Sequence, residues 1–508
     1  MMIERTSGIL LHPSSLPGAL PHGDFGPAAF RFIDWLVEAG QHLWQVLPLS
    51  PPGSGHSPYM STSVAAGNPA FVSPEQLAMQ GLLSPDVVNA ALAGIDTAAR
   101  VDFDADARVR NRLLRQAAAH FFEGGGALAG PTAAFDQWYA VNRSWADDYA
   151  LFAALAESGL GANWRRWPAA LRRRTPNALA EARGRCADEI RFQLFVQWQF
   201  DEQWRAIRRY ANERSVSIVG DMPIYCAFDS ADVWQHPYLF QLDDAFEPHA
   251  VAGVPPDYFS ATGQLWGNPL YDWDAHARDG FAWWCARLRR TLDHADIVRI
   301  DHFRGLAGYW AVPATADTAV QGQWRPGPGM ALFDALGDAL GAVPVIAEDL
   351  GTITPDVTAL RDAVGLPGMC VLQFAFADDA ANPYLPHNLR PNRVLYSGTH
   401  DNDTSRAWFA TAPAEERTRV QIYLKTDGRE IEWDLIHAAS SSVARLAIYP
   451  MQDVLGLGGD ARMNLPGVAD GQWSWRMDWH QLHAWQTRRL FEISVAHGRH
   501  PPRPLAVA

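Results

Sequence analysis

The sequence predicts an α/β protein built on a (β/α)₈ TIM barrel, with mainly helical insertions between the barrel strands. Two observations lead to this prediction. Eight short apolar or β-branched runs recur along the 508 residues, each ending in a polar, Gly or Pro cluster, as strands buried on both faces do. Helical patterns lie between several runs, and barrels often hold such a length as one unit. We therefore expect residues 1–508 to form a single barrel domain.

The eight predicted strands follow one another along the chain. In order, they are GILLHPSS from Gly8, HLWQVLPLSPP from His42, VSIVGDMP from Val216, IVRIDHFRG from Ile297, VPVIAEDLG from Val343, CVLQFAFAD from Cys370, RVLYSGTHDND from Arg393 and ARLAIYPMQD from Ala444. A helix is predicted before the third run, because Ile190, Leu194 and Trp198 recur there at four-residue spacing.

Two connections are longer than one barrel crossover requires. Residues 50–215 are predicted to form a mainly helical insertion, with one helix beginning at Ser84-Pro85, where Ser caps and Pro fits the first turn. Residues 225–290 form a second predicted insertion. It contains an aromatic, Pro- and Gly-rich loop at 254–268, with the letters VPPDYFSATGQLWGN.

Composition excludes several classes of partner. The net charge is −14, from 42 basic and 56 acidic side chains, which argues against nucleic acid and against anionic membranes. No run approaches the roughly 18 apolar residues that span a bilayer, and the first residues lack the features of a signal peptide. The four cysteines form no CxxC pair, which favours reduced thiols and a cytoplasmic protein.

We expect neither a metal ion nor an organic cofactor. The letters HExxH are absent, and DFDADA at Asp102 imitates only the start of a calcium loop. Ala107 stands at its sixth position, where Gly is needed, and Leu113 at its twelfth, where Glu is needed. We interpret that segment as a solvated acidic turn.

Carboxylates stand at the ends of four predicted strands: Asp221, Asp301, Glu348 and Asp401. In a barrel these ends meet at one mouth. A single such residue is often a helix cap, but several close together are costly because like charges repel. A reaction with a cationic transition state uses them. Retaining glycosyl transfer is such a reaction, with one carboxylate as nucleophile and one protonated carboxyl as acid.

Arg299 lies two residues before Asp301, so both side chains leave the strand on the same face. We expect the guanidinium to lower the pKa of Asp301 and keep this carboxyl ionised, as a nucleophile requires. A purely structural ion pair is the alternative, although it does not explain Glu348 and Asp401.

Long motifs then reveal a resemblance to a known family. GILLHPSSLPG, WQVLPLSPPGSGHSPYMSTSVAAGNP, GVPPDYFSATGQLWGNPLY, VRIDHFRG, IAEDLG, GTHDNDT and SVARLAIYPMQDVLGLGGDARMNLPG closely resemble the amylomaltases, bacterial 4-α-glucanotransferases of the α-amylase clan. The resemblance extends from Gly8 to about Trp475. It implies transfer of α-1,4-glucan segments, from maltooligosaccharides or amylose, to acceptor glucans or glucose.

The resemblance also implies a role for each matched residue. Asp301 matches the nucleophile, Glu348 the acid/base and Asp401 a third carboxylate that holds sugar hydroxyls. The loop 254–268 matches a segment that covers the bound glucan. The positions that match substrate-binding residues are Arg299, His400, Tyr59, Asp257, Gln264, Trp266 and Asn464.

Two other functions remain open at this stage. A hydrolase of the α-amylase type uses the same carboxylates with water as the acceptor. A non-catalytic glucan-binding protein has no need of three carboxylates together with Arg299. Transfer and hydrolysis differ in whether water or a sugar reaches the glycosyl-enzyme first, which a loop over the site can control.

Overall fold

The computed structural model describes residues 4–93, 95, 100–124, 129–256, 261–468 and 471–500. The strands of this part of the chain are β1 Thr6–Leu10, β2 Leu43–Gln45, β3 Ser217–Met222, β4 Ala250–Val254, β5 Gln264–Pro269, β6 Ile297–Ile300, β7 Gly308–Pro313, β8 Gln323–Pro326, β9 Val345–Ala347, β10 Gly368–Val371, β11 Arg393–Tyr396 and β12 Leu446–Pro450.

Eight of these strands close into a parallel barrel in the order β1-β12-β11-β10-β9-β6-β3-β2. They are the eight runs predicted from the sequence, so the predicted barrel is confirmed. Every residue of β1, β6 and β12 is buried, as expected for strands with a packed interior on one side and helices on the other.

The helices of the described residues are α1 Pro27–Glu38, α2 Pro74–Met79, α3 Pro85–Leu92, α4 Phe103–Phe122, α5 Ala129–Leu155, α6 Ala169–Arg172, α7 Pro176–Arg185, α8 Ala187–Glu213, α9 Ala231–Gln235, α10 Trp273–Arg278, α11 Ala282–His294, α12 Arg304–Ala307, α13 Met330–Leu340, α14 Pro355–Val364, α15 Ser405–Thr411, α16 Ala414–Leu424, α17 Ile431–Ser441, α18 Met451–Leu455 and α19 Ala484–Ala496. Within the described ranges, no helix is long and apolar enough to span a bilayer.

The connection between β2 and β3 contains helices α2–α8. Two of them were predicted. The apolar spacing before Val216 corresponds to α8, and α3 begins at Pro85, where the Ser84 hydroxyl accepts a hydrogen bond from the Val87 backbone N–H at 3.2 Å. This cap satisfies one of the amide groups that a helix start leaves without an intrahelical partner.

A second sheet was not predicted. It is antiparallel, with the order β5-β4-β7-β8. Strands β4 and β5 lie in the connection that follows barrel strand β3, and β7 and β8 lie in the connection that follows β6. Because both excursions start at carboxyl ends of barrel strands, this sheet lies at the same end of the barrel as the predicted site. Within the predicted loop 254–268, Val254 ends β4 and residues 264–268 belong to β5, and the antiparallel pairing of these two strands makes them a hairpin.

The DFDADA segment is not the solvated acidic turn that we expected. Asp102 caps α4 by accepting from the Ala105 backbone N–H at 2.9 Å. Asp106 lies inside the helix, buried, and accepts two hydrogen bonds of 2.8 Å from Arg110 one turn later. Arg110 also donates to Asp24 beyond β1, at 2.9 Å. The segment therefore links the helical insertion to the barrel.

Candidate active site

The predicted carboxylates come together at the carboxyl end of the barrel. Asp221 lies within β3, Asp301 follows β6 directly, Glu348 follows β9 directly, and Asp401 lies in the loop after β11. Strand β6 pairs with both β3 and β9, with Ile300 opposite Ala347. Asp301 and Glu348 therefore leave the barrel side by side.

Arg299 is shared between two carboxylates. Its Nη1 atom lies 2.8 and 2.7 Å from the two oxygens of Asp221 and 3.1 Å from Oδ1 of Asp301. The Tyr59 hydroxyl donates to Oδ2 of Asp221 at 2.7 Å. These contacts of Asp221 orient Arg299. The sequence analysis assigned no role to Asp221.

The expected direction of the pKa shift of Asp301 needs a correction. Burial raises the pKa of Asp301 to about 6, and the charges of Asp221 and Asp401 add to the rise, whereas Arg299 acts in the opposite direction. Arg299 does lie beside Asp301, as predicted, but the predicted net lowering is wrong. The sequence could not show that Asp221 takes the closer contacts of the same guanidinium.

Glu348 has the stronger shift. Burial, with a contribution from the Asp301 charge, raises the pKa of Glu348 to about 8, although Arg299 opposes the rise. Its Oε2 accepts from the His302 backbone N–H at 2.6 Å, and its Oε1 accepts from the Leu350 backbone N–H at 3.0 Å. Between about pH 6 and 8, Asp301 is therefore ionised while Glu348 carries its proton.

Asp401 is the centre of a polar cluster that Tyr59 joins to Asp221. Its Oδ1 accepts from the Asn464 side-chain amide at 2.6 Å, and its Oδ2 lies 3.4 Å from Nε2 of His400. The Asn464 backbone N–H donates to the His400 carbonyl at 3.0 Å. The Tyr59 ring stacks on His400 with centroids 5.2 Å apart. These four predicted residues are therefore neighbours.

The hairpin residues are only partly described. Trp266 packs edge-on against the His302 ring, 4.8 Å between centroids, and its indole N–H donates to the Gln264 side chain at 3.1 Å. Asp257 lies outside the described residues. Sequence reasoning missed His302 and Trp473, whose ring lies 5.9 Å from both Tyr59 and His400. His302 follows Asp301 directly in the chain, and this position could have indicated a place in the site. Nothing in the sequence around Trp473 indicated its position.

The structure combines a closed (β/α)₈ barrel with two neighbouring carboxyls of different pKa at its mouth. This combination is typical of enzymes that act on glycosidic bonds. Comparison with known proteins narrows the class. The model of the family described as 4-alpha-glucanotransferase matches residues 11–482, and the chain belongs to that family.

Individual relatives agree with the family match. The chain is 48% identical to a 4-alpha-glucanotransferase of Synechocystis over 98% of this chain and 99% of the relative. It is 47% identical to one of Thermus thermophilus over 94% of this chain and 95% of the relative. The structure of an amylomaltase from Streptococcus agalactiae in complex with acarbose matches with a TM-score of 0.93 at 36% identity, covering 98% of this chain and all of that one.

Proposed function

We propose that this 4-α-glucanotransferase works by a retaining double displacement, with Asp301 as nucleophile and Glu348 as acid/base. The observation that carries the proposal is the pair of neighbouring carboxyls whose pKa values are raised to about 6 and about 8. At neutral pH one member is a carboxylate and the other an acid, which are the two forms that the first step needs.

In the first step, a carboxylate oxygen of Asp301 attacks the anomeric carbon of the donor sugar. Glu348 gives its proton to the glycosidic oxygen, so the leaving glucan departs as an alcohol and a glycosyl ester remains on Asp301. In the second step, Glu348, now a carboxylate, takes the proton of an acceptor hydroxyl. That oxygen attacks the anomeric carbon and displaces Asp301, so the configuration is retained.

The remaining site residues hold the reacting sugar. Asp401, with His400 and Asn464 bound to it, accepts hydrogen bonds from sugar hydroxyls, and its charge favours the cationic transition state. Arg299 donates hydrogen bonds to Asp221 and forms an ion pair with Asp301, and so fixes the direction of attack. The ring of Tyr59, which stacks on His400, provides an aromatic surface on one side of the sugar.

The hairpin 254–268 is part of the proposal as the segment that covers the bound glucan. Trp266 lies against His302, the residue next to the nucleophile, with its polar atom bound to Gln264. Asp257 is proposed to bind substrate from the same hairpin. An indole in this place can stack on an acceptor sugar and displace water, which favours transfer over hydrolysis.

The proposed substrates are maltooligosaccharides and longer α-1,4-glucans as donors, with glucans or glucose as acceptors. Maltotriose incubated with the pure protein tests this. A ladder of longer and shorter oligosaccharides plus glucose indicates transfer, whereas shortening alone indicates a hydrolase and contradicts the proposal. Unchanged maltotriose would indicate a binding protein.

A cytoplasmic location belongs to the same proposal. The four cysteines are buried free thiols, as expected of a protein that functions under reducing conditions. Fractionation of cells that produce the protein tests the location, and activity confined to the external medium would contradict it.

A further inference from the structure

His302 has an unusual backbone conformation next to the reacting groups. Its φ is +47°, in the left-handed region that non-glycine residues rarely adopt. In this conformation its backbone N–H donates to Oε2 of Glu348 at 2.6 Å. Strained backbone of this kind persists only where the surroundings hold it, and it is concentrated at functional sites. The contacts that hold His302 therefore matter for Glu348.

The His302 side chain makes a ring contact with Trp266. The Trp266 indole packs edge-on against its imidazole, with centroids 4.8 Å apart and planes at 84°. Among the described residues, neither ring nitrogen of His302 has a hydrogen-bond partner. Burial lowers the pKa of His302 to about 3, so the ring is neutral at working pH. It packs as an uncharged aromatic group between the hairpin and the barrel.

The second donor to Glu348 does not depend on the hairpin. The Leu350 backbone N–H reaches Oε1 at 3.0 Å from the same loop that carries Glu348. The two oxygens of Glu348 therefore have donors from different places. Leu350 belongs to the same loop as Glu348, whereas His302 contacts the hairpin.

We propose that His302 is a positioning residue that couples the β4–β5 hairpin to the acid/base. When Trp266 packs on the imidazole, it holds the left-handed backbone of His302 and so keeps the N–H directed at Oε2 of Glu348. Without the indole, this hydrogen bond weakens and Glu348 loses its orientation. The inference rests on the proposed role of Glu348 and adds a link from Trp266 to proton transfer.

The sign of the effect on ionisation follows from the hydrogen bond. An N–H that donates to a carboxylate stabilises the ionised form, so weakening it raises the pKa of Glu348. The other charged or titratable groups that act on Glu348 are Arg299 and Asp301, and the tyrosines Tyr384 and Tyr396 lie within its electrostatic reach. Trp266 is uncharged, so its removal changes none of these charges.

The test combines two substitutions with the pH profile of kcat/KM. Trp266→Ala and His302→Gly are each expected to move the basic limb upward by about 0.5–1 pH unit, the equivalent of one modest hydrogen bond. Glycine adopts the left-handed conformation without strain but lacks the ring, so it no longer receives the contact of the Trp266 indole. The double variant is expected to move the limb no further than either single variant, with a coupling of at least about threefold in kcat/KM.

Two donors separate positioning from simple substrate binding. With maltotriose, departure of the leaving sugar needs the proton of Glu348, whereas with α-maltosyl fluoride it hardly does. Each single variant should therefore lose several-fold more kcat/KM on maltotriose than on the fluoride. Leu265→Ala is the matched control, because this residue neighbours Trp266 on β5 and is 40% exposed. Its basic limb should stay where it is in the unmodified enzyme.

Additive effects, an unmoved basic limb or equal losses on both donors would overturn the coupling. If His302→Gly fails to fold, His302→Asn replaces it, because asparagine also tolerates the left-handed region. Glu348→Gln distinguishes this failure from failure of the proposed function. If that variant loses equally on both donors, Glu348 is not the acid. If it spares the fluoride while the other variants behave additively, only the coupling is wrong.

Discussion

Asp301 and Glu348 both follow barrel strands directly, yet their surroundings differ in a way that suits the two roles proposed for them. Asp301 lies 3.1 Å from a guanidinium, whereas the hydrogen-bond donors to Glu348 in the described part of the chain are two backbone N–H groups. Burial raises both pKa values, to about 6 and about 8. The division of labour therefore depends on which of the two carboxyls contacts Arg299.

Asp301→Asn should abolish turnover, because an amide oxygen cannot form the glycosyl ester. The fold should remain, since asparagine has the same shape and can still contact Arg299. Disproportionation of maltotriose and circular dichroism measure the two effects. Asp427→Asn, at a carboxylate that is 64% exposed, is the matched control and should keep full activity. A folded Asp301→Asn protein with near-normal transfer would refute the assignment.

Replacement of Glu348 by Gln should slow transfer from maltotriose far more than the first step with α-maltosyl fluoride. The fluoride leaves without a proton, so general acid catalysis, worth about 10²–10⁴-fold, is lost only with the sugar donor. The comparison of kcat/KM for the two donors checks this. Equal losses would show that Glu348 acts in some other way.

Asp221→Asn should move the acidic limb of the kcat/KM profile to lower pH. Burial raises the pKa of Asp301, but the Asp221 charge adds to that rise, and Asp221 also engages the shared guanidinium. Without this charge, Asp301 ionises more readily and Arg299 is free to approach it. Tyr59→Phe removes the hydrogen bond to Asp221 but no charge, so its acidic limb should move much less. An upward shift in Asp221→Asn would contradict this electrostatic account.

At the residue scale, sequence reasoning located side chains that stand beside predicted strands. Asp301, Glu348 and Arg299 could be placed at the mouth because strand ends and the alternation of side chains fix their direction. The net pKa of Asp301 could not be predicted, because it depends first on burial and then on how Arg299 divides its contacts between two carboxylates on different strands. Trp473 lies in a loop with no periodicity, so nothing in its neighbourhood predicted its contact with His400.

At the scale of elements, burial decided what could be predicted. The barrel strands are continuous apolar runs because both of their faces are covered, and all eight were found. Strand β8 is exposed at each of its four residues. The first four residues of β5 alternate between partly buried and exposed positions, and only its last two are buried, so neither strand resembles such a run. The second sheet also joins excursions that follow β3 and β6, a pairing with no local signal.

The hairpin between β4 and β5 leads to a prediction about specificity. Trp266→Ala should weaken acceptor binding and raise the ratio of hydrolysis to transfer, because water then reaches the glycosyl-enzyme before a sugar does. Free reducing ends and oligosaccharide redistribution, followed in one maltotriose reaction, give both rates. Trp485→Ala is the matched control, since this tryptophan is 49% exposed on α19, outside the site. Two rates unchanged, or lowered in equal proportion, would remove the hairpin from the account of specificity.

At the scale of the whole molecule, the barrel keeps a costly cluster of acids at its mouth. Like charges near one another in a poorly solvated place oppose folding, and the pKa values of Asp221, Asp301 and Glu348 are all raised because burial disfavours their charged forms. Arg299 offsets only part of this cost, because it is one cation among several carboxylates. The acids that the proposed activity needs therefore lower the free energy of unfolding, and the buried core of the barrel has to offset this loss.

Glu348→Gln should therefore stabilise the protein in a way that depends on pH. The folded state holds the proton of Glu348 up to about pH 8, whereas the unfolded chain releases it near the ordinary value of 4.5. The stability that this group contributes is fully present below about pH 4.5 and is lost as the pH rises through 8. Glutamine keeps the shape without the charge, so the variant should gain over the unmodified protein as the pH rises, by about 1–3 °C in melting temperature at pH 8.5 and little at pH 4.5. Melting scans at both pH values measure the difference, with Glu202→Gln, a partly exposed helix residue, as the control that should show no such trend. A gain that is equal at both pH values would mean that packing, and not the buried charge, sets the cost.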